Sequence, residues 1–101
     1  MIITRWAGQN PPTPTQLKML LAAEGLEPEL ETLAAHSVIR DHKHPFDEVR
    51  IIAEGMLIMD INGNQLVLRP GDRISIPANT RHSKTVHGGV PCLSLLARRI
   101  F

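Results

Sequence analysis

The chain has 101 residues, 43% of them hydrophobic, enough for one compact domain with a buried core and too few for a second. Eleven basic against ten acidic residues give a net charge of +1 without any Lys/Arg-rich run, which excludes a nucleic-acid backbone binder. The lone Cys92 forbids an internal disulfide and fits a reducing compartment. With no signal-length apolar start and no apolar run of about 18 residues, the expectation is a cytoplasmic protein without a membrane span.

In chain order, "NPPTPT" (10–15) reads as an extended, Pro-rich arm. A helix over 14–24 follows. Thr13 can cap it, Pro14 suits its first position and Gln16 completes a capping box. Leu17, Leu20 and Leu21 give it an apolar face, and Gly25 can close it in a left-handed cap. A helix this short needs something to pack on. The composition changes near residue 28, which divides the chain into an arm with a helix (1–28) and a β-domain (29–101).

Beyond residue 28 the hydrophobic period drops towards two. Strands are expected near 30–40, 48–53, 56–61, 65–69, 73–76, 82–87 and 90–100. They are joined by turn signals of which Asn62-Gly63 is the strongest. Evenly spaced short strands predict an all-β sandwich or barrel. "LIMDI" is apolar on both faces, and the terminal "CLSLLARRIF" exposes Leu93, Leu95 and Leu96 unless covered. Both features predict a homodimer, with the helix as an alternative cover. The acidic "EPELE" reads as a solvated face, and Cys92 as a small core residue. Met56 and Met59, facing opposite sides, read as filler.

The stretch "DHKHPFDEVR" (41–50) places His42, His44 and Glu48 at one parity. Fully extended, His42 and Glu48 would stand about 20 Å apart, at roughly 3.3 Å per residue, too far for one ion with bonds of about 2.1 Å. Pro45-Phe46-Asp47 supplies a reversal that would lay two strands side by side with the three side chains on one inner face. On these residues alone, a polar surface strip and a metal site both remain open.

Two segments together resemble the cupin family. "HKHPFDEVRIIAEG" matches the first cupin motif at His42, His44, Glu48 and Gly55, and "GDRISIPANTRH" matches the second at Gly71, Pro77 and His82. The match spans residues 36–87. Three positions depart from the family pattern: His36 and Asn79 stand where glycines are usual, and Val86 where an asparagine often does. The resemblance implies a double-stranded β-helix, or jelly-roll, barrel preceded by the arm and helix. It also implies one divalent transition metal (Fe, Mn, Ni, Cu or Zn) on His42, His44, Glu48 and His82, with two coordination places for water, substrate or oxygen.

Around that site, Arg50 shares the parity of Glu48 and should face the lumen, where its fork would suit a substrate carboxylate; an ion pair with Glu54 is the rival. Glu48 is the candidate general base. Lys84 shares the parity of His82 and is open to the same two readings. His36 is a core or rim residue that could also line the cavity, and His87 a loop residue. The resulting expectation is a metal-dependent dioxygenase-type enzyme on a small, anionic molecule. The alternatives are a non-catalytic ligand-binding or sensing barrel and a sugar or small-acid isomerase. The chain has no tyrosine, which removes chemistry with a tyrosine acid. Its aromatics, Trp6, Phe46 and Phe101, offer little stacking surface to a flat substrate.

Overall fold

A computed structural model describes residues 2–99. The chain runs β1 (Ile2–Thr4), α1 (Pro14–Ala23), β2 (Glu29–Leu33), β3 (Val38–His42), β4 (Asp47–Glu54), β5 (Met56–Ile61), β6 (Asn64–Leu68), β7 (Arg73–Ile76), β8 (His82–His87) and β9 (Cys92–Arg99). The expected strand end at residue 100, and Phe101, lie outside the described residues.

The helix forms as its ends dictate. Thr13 Oγ1 accepts from the Gln16 amide, and Gln16 Oε1 accepts from the Thr13 amide. At the other end Gly25, at φ 80°, donates to the Ala22 carbonyl, and the Leu26 amide reaches back to Leu21, closing a Schellman cap. Leu17 and Leu21, one turn apart, are buried against β4 and β9, whereas Leu20 is half exposed and does not belong to the packed face.

The strands form two antiparallel sheets in the orders β1-β7-β4-β9-β2 and β3-β8-β5-β6. β4 is buried on both faces. Val49, Ile51 and Ala53 point outward under the helix together with Leu95 and Ala97. Ile52 points inward with Leu57, Met59, Ile61, Leu68, Ile74, Ile76, Val86 and Cys92. Helix α1 thus supplies the cover that Leu93 and Leu95 require, and half of the motive for a dimer is met within one chain. In "LIMDI", Leu57, Met59 and Ile61 fill the interior, while Ile58 and Asp60 are only partly covered on the outer face.

Three expectations need correction. The strand expected over 30–40 is two strands in different sheets, separated by a turn at 34–37 in which the Ser37 amide and hydroxyl both donate to the Ala34 carbonyl. His36, at φ 63°, takes the left-handed conformation for which the family pattern uses glycine, and it is exposed and not a core residue. Finally, β3 and β4 do not lie side by side. They belong to opposing sheets, and residues 43–46 cross between them, so the site is assembled across the barrel and not along one face.

The N-terminal arm is tied down more firmly than its composition indicates. β1 adds an edge strand beside β7. Asp72 then collects the arm: its carboxylate accepts from Arg5 Nη1 at 2.8 Å, from the Trp6 amide at 3.0 Å and from the Arg69 amide at 2.9 Å. The Trp6 ring lies on Gly71, where a Cβ would come within 2.4 Å of it at φ +91°, so this position tolerates no side chain. Burial pushes the Asp72 carboxyl up, but the amides of Arg69 and Trp6 and the Arg5 guanidinium outweigh it and hold the group below its ordinary 3.8. The folded state therefore binds this proton less readily than the unfolded chain. The stabilisation is complete well above pH 3.8 and fades as pH falls below that value and through the lowered folded pKa. Asp72→Asn is expected to cost about 1.5–3 kcal/mol at neutral pH, the worth of hydrogen bonds to a buried charge. Thermal melts of wild type and variant should draw together as pH falls below 3.8 and converge only below the lowered folded pKa, and a gap independent of pH would refute the account.

Candidate metal centre

β3 and β8 pair so that His42 stands directly opposite His82. Both imidazoles are oriented from behind. His42 Nδ1 lies 2.7 Å from the Arg40 carbonyl and His82 Nδ1 lies 2.9 Å from that of Thr80. A carbonyl only accepts, so each Nδ1 carries the proton and each Nε2 is left with a free lone pair. His44 comes from the crossing segment 43–46. Its carbonyl accepts from the Asn79 amide at 2.6 Å, and Asp47 Oδ1 accepts from the Ala78 amide at 2.8 Å, which binds the two motif loops to each other. Asn79 meets the first of these bonds at φ 61°, so its substitution for glycine costs the loop little.

The three rings converge. Ring centroids are 4.7 Å apart for His42 and His44, 4.4 Å for His42 and His82, and 5.4 Å for His44 and His82. One ligating atom from each lies within 4.8 Å of the others. His44 is stacked on Phe46 at 4.8 Å and 11°, and the Arg98 guanidinium lies over the Phe46 ring, 5.2 Å from its centroid. Burial pushes the pKa values of His44 and His82 down, against the opposing pull of Glu48, so both rings stay in the neutral form that can donate a lone pair.

Glu48 enters from the opposite sheet, 3% exposed, with Oε1 3.9 Å from His44 Nε2. Its Oε2 and the Nε2 of His82 are buried without a hydrogen-bond partner. Such atoms are costly unless something satisfies them. Three imidazoles whose ligand atoms converge, with the Glu48 carboxylate beside His44, are a donor set suited to a divalent transition ion.

Arg50 does face the interior and is fully buried. Its pairing differs from the expected rival: Nη1 donates to Glu31 Oε1 at 2.7 Å, while Glu54 is exposed. Its Nε stands 3.5 Å from Glu48 Oε2 without a hydrogen bond, and Nη2 is also unpartnered. Lys84 is likewise interior, with Nζ 3.7 Å from the same Glu31 oxygen. Burial pushes the Lys84 ammonium down, helped by Arg50, against Glu48 and Glu31. Burial pushes Glu31 up, but Arg50 and Lys84 overcome it and hold the carboxyl below its ordinary range.

Glu31, which joins Arg50 and Lys84 in the interior, escapes the sequence reading, in which "EPELE" is a solvated face. Alternation within β2 is the available signal: Leu30 and Thr32 are exposed while Glu31 and Leu33 turn inward. Cys92 is fully buried in the inner cluster, burial raising its thiol pKa, as expected of a core residue. His87 is exposed at the end of β8.

Comparison with known proteins agrees with the fold. The family model described as "Cupin domain" matches residues 29–97. An acireductone dioxygenase of Bacillus licheniformis is 44% identical over 52 residues, covering 46% of this chain and 29% of the relative. This chain therefore spans under a third of the length of such curated relatives. A crystal structure of DMSP lyases superposes with a TM-score of 0.68 at 25% identity, over 74% of this chain and 38% of that one. A cupin superfamily protein of Desulfitobacterium hafniense superposes with a TM-score of 0.66 at 15% identity, over 99% of this chain and 77% of that one.

Proposed function

The chain belongs to the cupin domain family, and from that premise we propose a small metal-dependent oxidoreductase of the dioxygenase type acting on a small anionic molecule. His42, His44, Glu48 and His82 would hold one divalent transition ion. The observation that carries this reading is the convergence of three imidazole ligand atoms within 4.8 Å beside the buried, unpartnered Glu48 Oε2 and His82 Nε2. Bound there, a redox-active ion supplies Lewis acidity and one-electron chemistry.

The chain's own residues supply the rest. The imidazoles of His44 and His82 stay neutral. Glu48, when its carboxylate swings off the ion, is the group that takes up a substrate proton. The Arg50 guanidinium, with Nη2 unpartnered, offers a donor to a substrate carboxylate. Within the interior, Glu31 and Glu48 balance Arg50 and Lys84. A divalent ion would leave the site positive by two charges, which favours an anionic substrate. Likeness to acireductone dioxygenases over 46% of the chain supports oxygen chemistry above the isomerase alternative. All the proposed ligands come from one chain, so the site needs no second subunit. Among the described residues no helix is long and apolar enough to cross a membrane.

Iron(II)-loaded protein, screened against small carboxylates and enediols in an oxygen electrode, is expected to consume oxygen with at least one candidate. Glu48→Gln should abolish that uptake. Tight calorimetric binding without any oxygen uptake would instead identify a binding barrel.

A further inference from the structure

Glu31 lies outside both motifs, on the edge strand β2, yet it holds the one guanidinium that approaches Glu48. The geometry around that guanidinium is lopsided. Nη1 is engaged by Glu31 at 2.7 Å, while Nε stops 3.5 Å from Glu48 Oε2, and neither Nε nor Oε2 makes a hydrogen bond. An unrestrained buried arginine beside a buried carboxylate would close that gap into a two-pronged pair, the strongest geometry open to both groups. Lys84, 3.7 Å from Glu31, is a second interior cation beside the same oxygen.

We propose that Glu31 is a positioning residue that holds the Arg50 guanidinium back from Glu48 and so keeps the Glu48 carboxylate free to bind the divalent metal. The proposal rests on the reading of Glu48 as a metal ligand. Without Glu31, the Arg50 fork has one carboxylate left within reach, and metal and guanidinium then compete for the same Oε2. Glu31 reaches the site through strand pairing: β2 pairs with β9 and β9 with β4, which brings residue 31 beside residue 50 across 19 positions of sequence.

The test is the affinity for Zn2+ alone, a redox-silent probe, measured by chelator competition on the full chain. Metal-free melts establish that each variant is folded. Glu31→Ala, at a partly exposed edge-strand position, is expected to weaken Zn2+ binding about 10-fold or more, in the range found when partners behind metal ligands are removed. Simple loss of a negative charge could also weaken binding, and two further variants separate the causes. Glu31→Asp keeps the charge but shortens the reach, so it should still bind several-fold more weakly than wild type. In an Arg50→Gln background the effect of Glu31→Ala should shrink to under about two-fold, the non-additivity expected of residues acting in one network. Wild-type affinity in Glu31→Ala, wild-type affinity in Glu31→Asp, or an undiminished effect in the Arg50→Gln background would each overturn the proposal. If the Arg50→Gln protein does not fold, the Glu31→Asp result decides. Glu48→Gln separates the two levels: unchanged Zn2+ affinity there removes Glu48 as a ligand, whereas weak binding there beside an unaffected Glu31→Ala removes only the role of Glu31.

Discussion

His82→Ala is expected to lower divalent-metal affinity by more than about 100-fold, since even residues that merely orient a ligand cost 10–100-fold when removed. His82 is the most constrained of the three imidazoles. It is 1% exposed, its Nδ1 is committed to the Thr80 carbonyl, and its Nε2 is buried without a partner. Alanine removes the donor and leaves nothing nearby that can move in, because the opposite residue on β3 is His42 and the one on β5 is Ile61. Elemental analysis of tag-free wild type and variant, followed by chelator competition, gives the comparison. His87→Ala is the control, since His87 is an exposed histidine outside the cluster. Equal metal in wild type and His82→Ala would end the ligand assignment, and equal losses in His82→Ala and His87→Ala would point to non-specific binding.

What the sequence made legible was whatever is encoded locally. Thr13, Pro14, Gln16 and Gly25 announce the helix, because a cap is built from residues within four positions of one another. The four site residues could be marked because fixed spacing in two segments carries them. What escaped depends on long-range pairing. Alternation could turn Glu31 inward, but nothing near it says that β2 will pair with β9 and bring that side chain to Arg50 and Lys84. The turn at 34–37 went unseen because Ala-Ala-His-Ser lacks the usual punctuators, and His36 supplies the positive φ in place of glycine. β1, three residues long, gains its identity only by pairing with β7. The crossing at 43–46 looked like a hairpin because a proline and an aspartate end a strand equally well in either case. Only the sheet order shows that the chain changes sheets there.

Arg50→Met is expected to destabilise the metal-free protein by about 3–5 kcal/mol, the usual cost of removing one partner from a buried ion pair. That is a large share of the ~5–15 kcal/mol available to a domain of this kind. The variant is chosen to keep the volume, so the cost is not that of a hole. Arg50 is fully buried, and its loss leaves Glu48, itself 4% exposed in its side chain, with only Lys84 as a nearby cation. Glu31 suffers less, being partly exposed and still near Lys84. Removing the stranded charge should therefore recover stability: Arg50→Met with Glu48→Gln should lose clearly less than the two single variants summed, because two paired charges replaced together leave no orphan. Urea titrations of the metal-free proteins measure both quantities, and strict additivity would show that Arg50 matters for packing and not for pairing. Zn2+ gives an independent check. A ligand of the native state stabilises it in proportion to its affinity for that state. With the guanidinium gone, the ion takes over most of the neutralisation of Glu48, so saturating Zn2+ should stabilise Arg50→Met more than it stabilises wild type. A smaller gain in the variant would mean that Arg50 supports metal binding instead of competing with it.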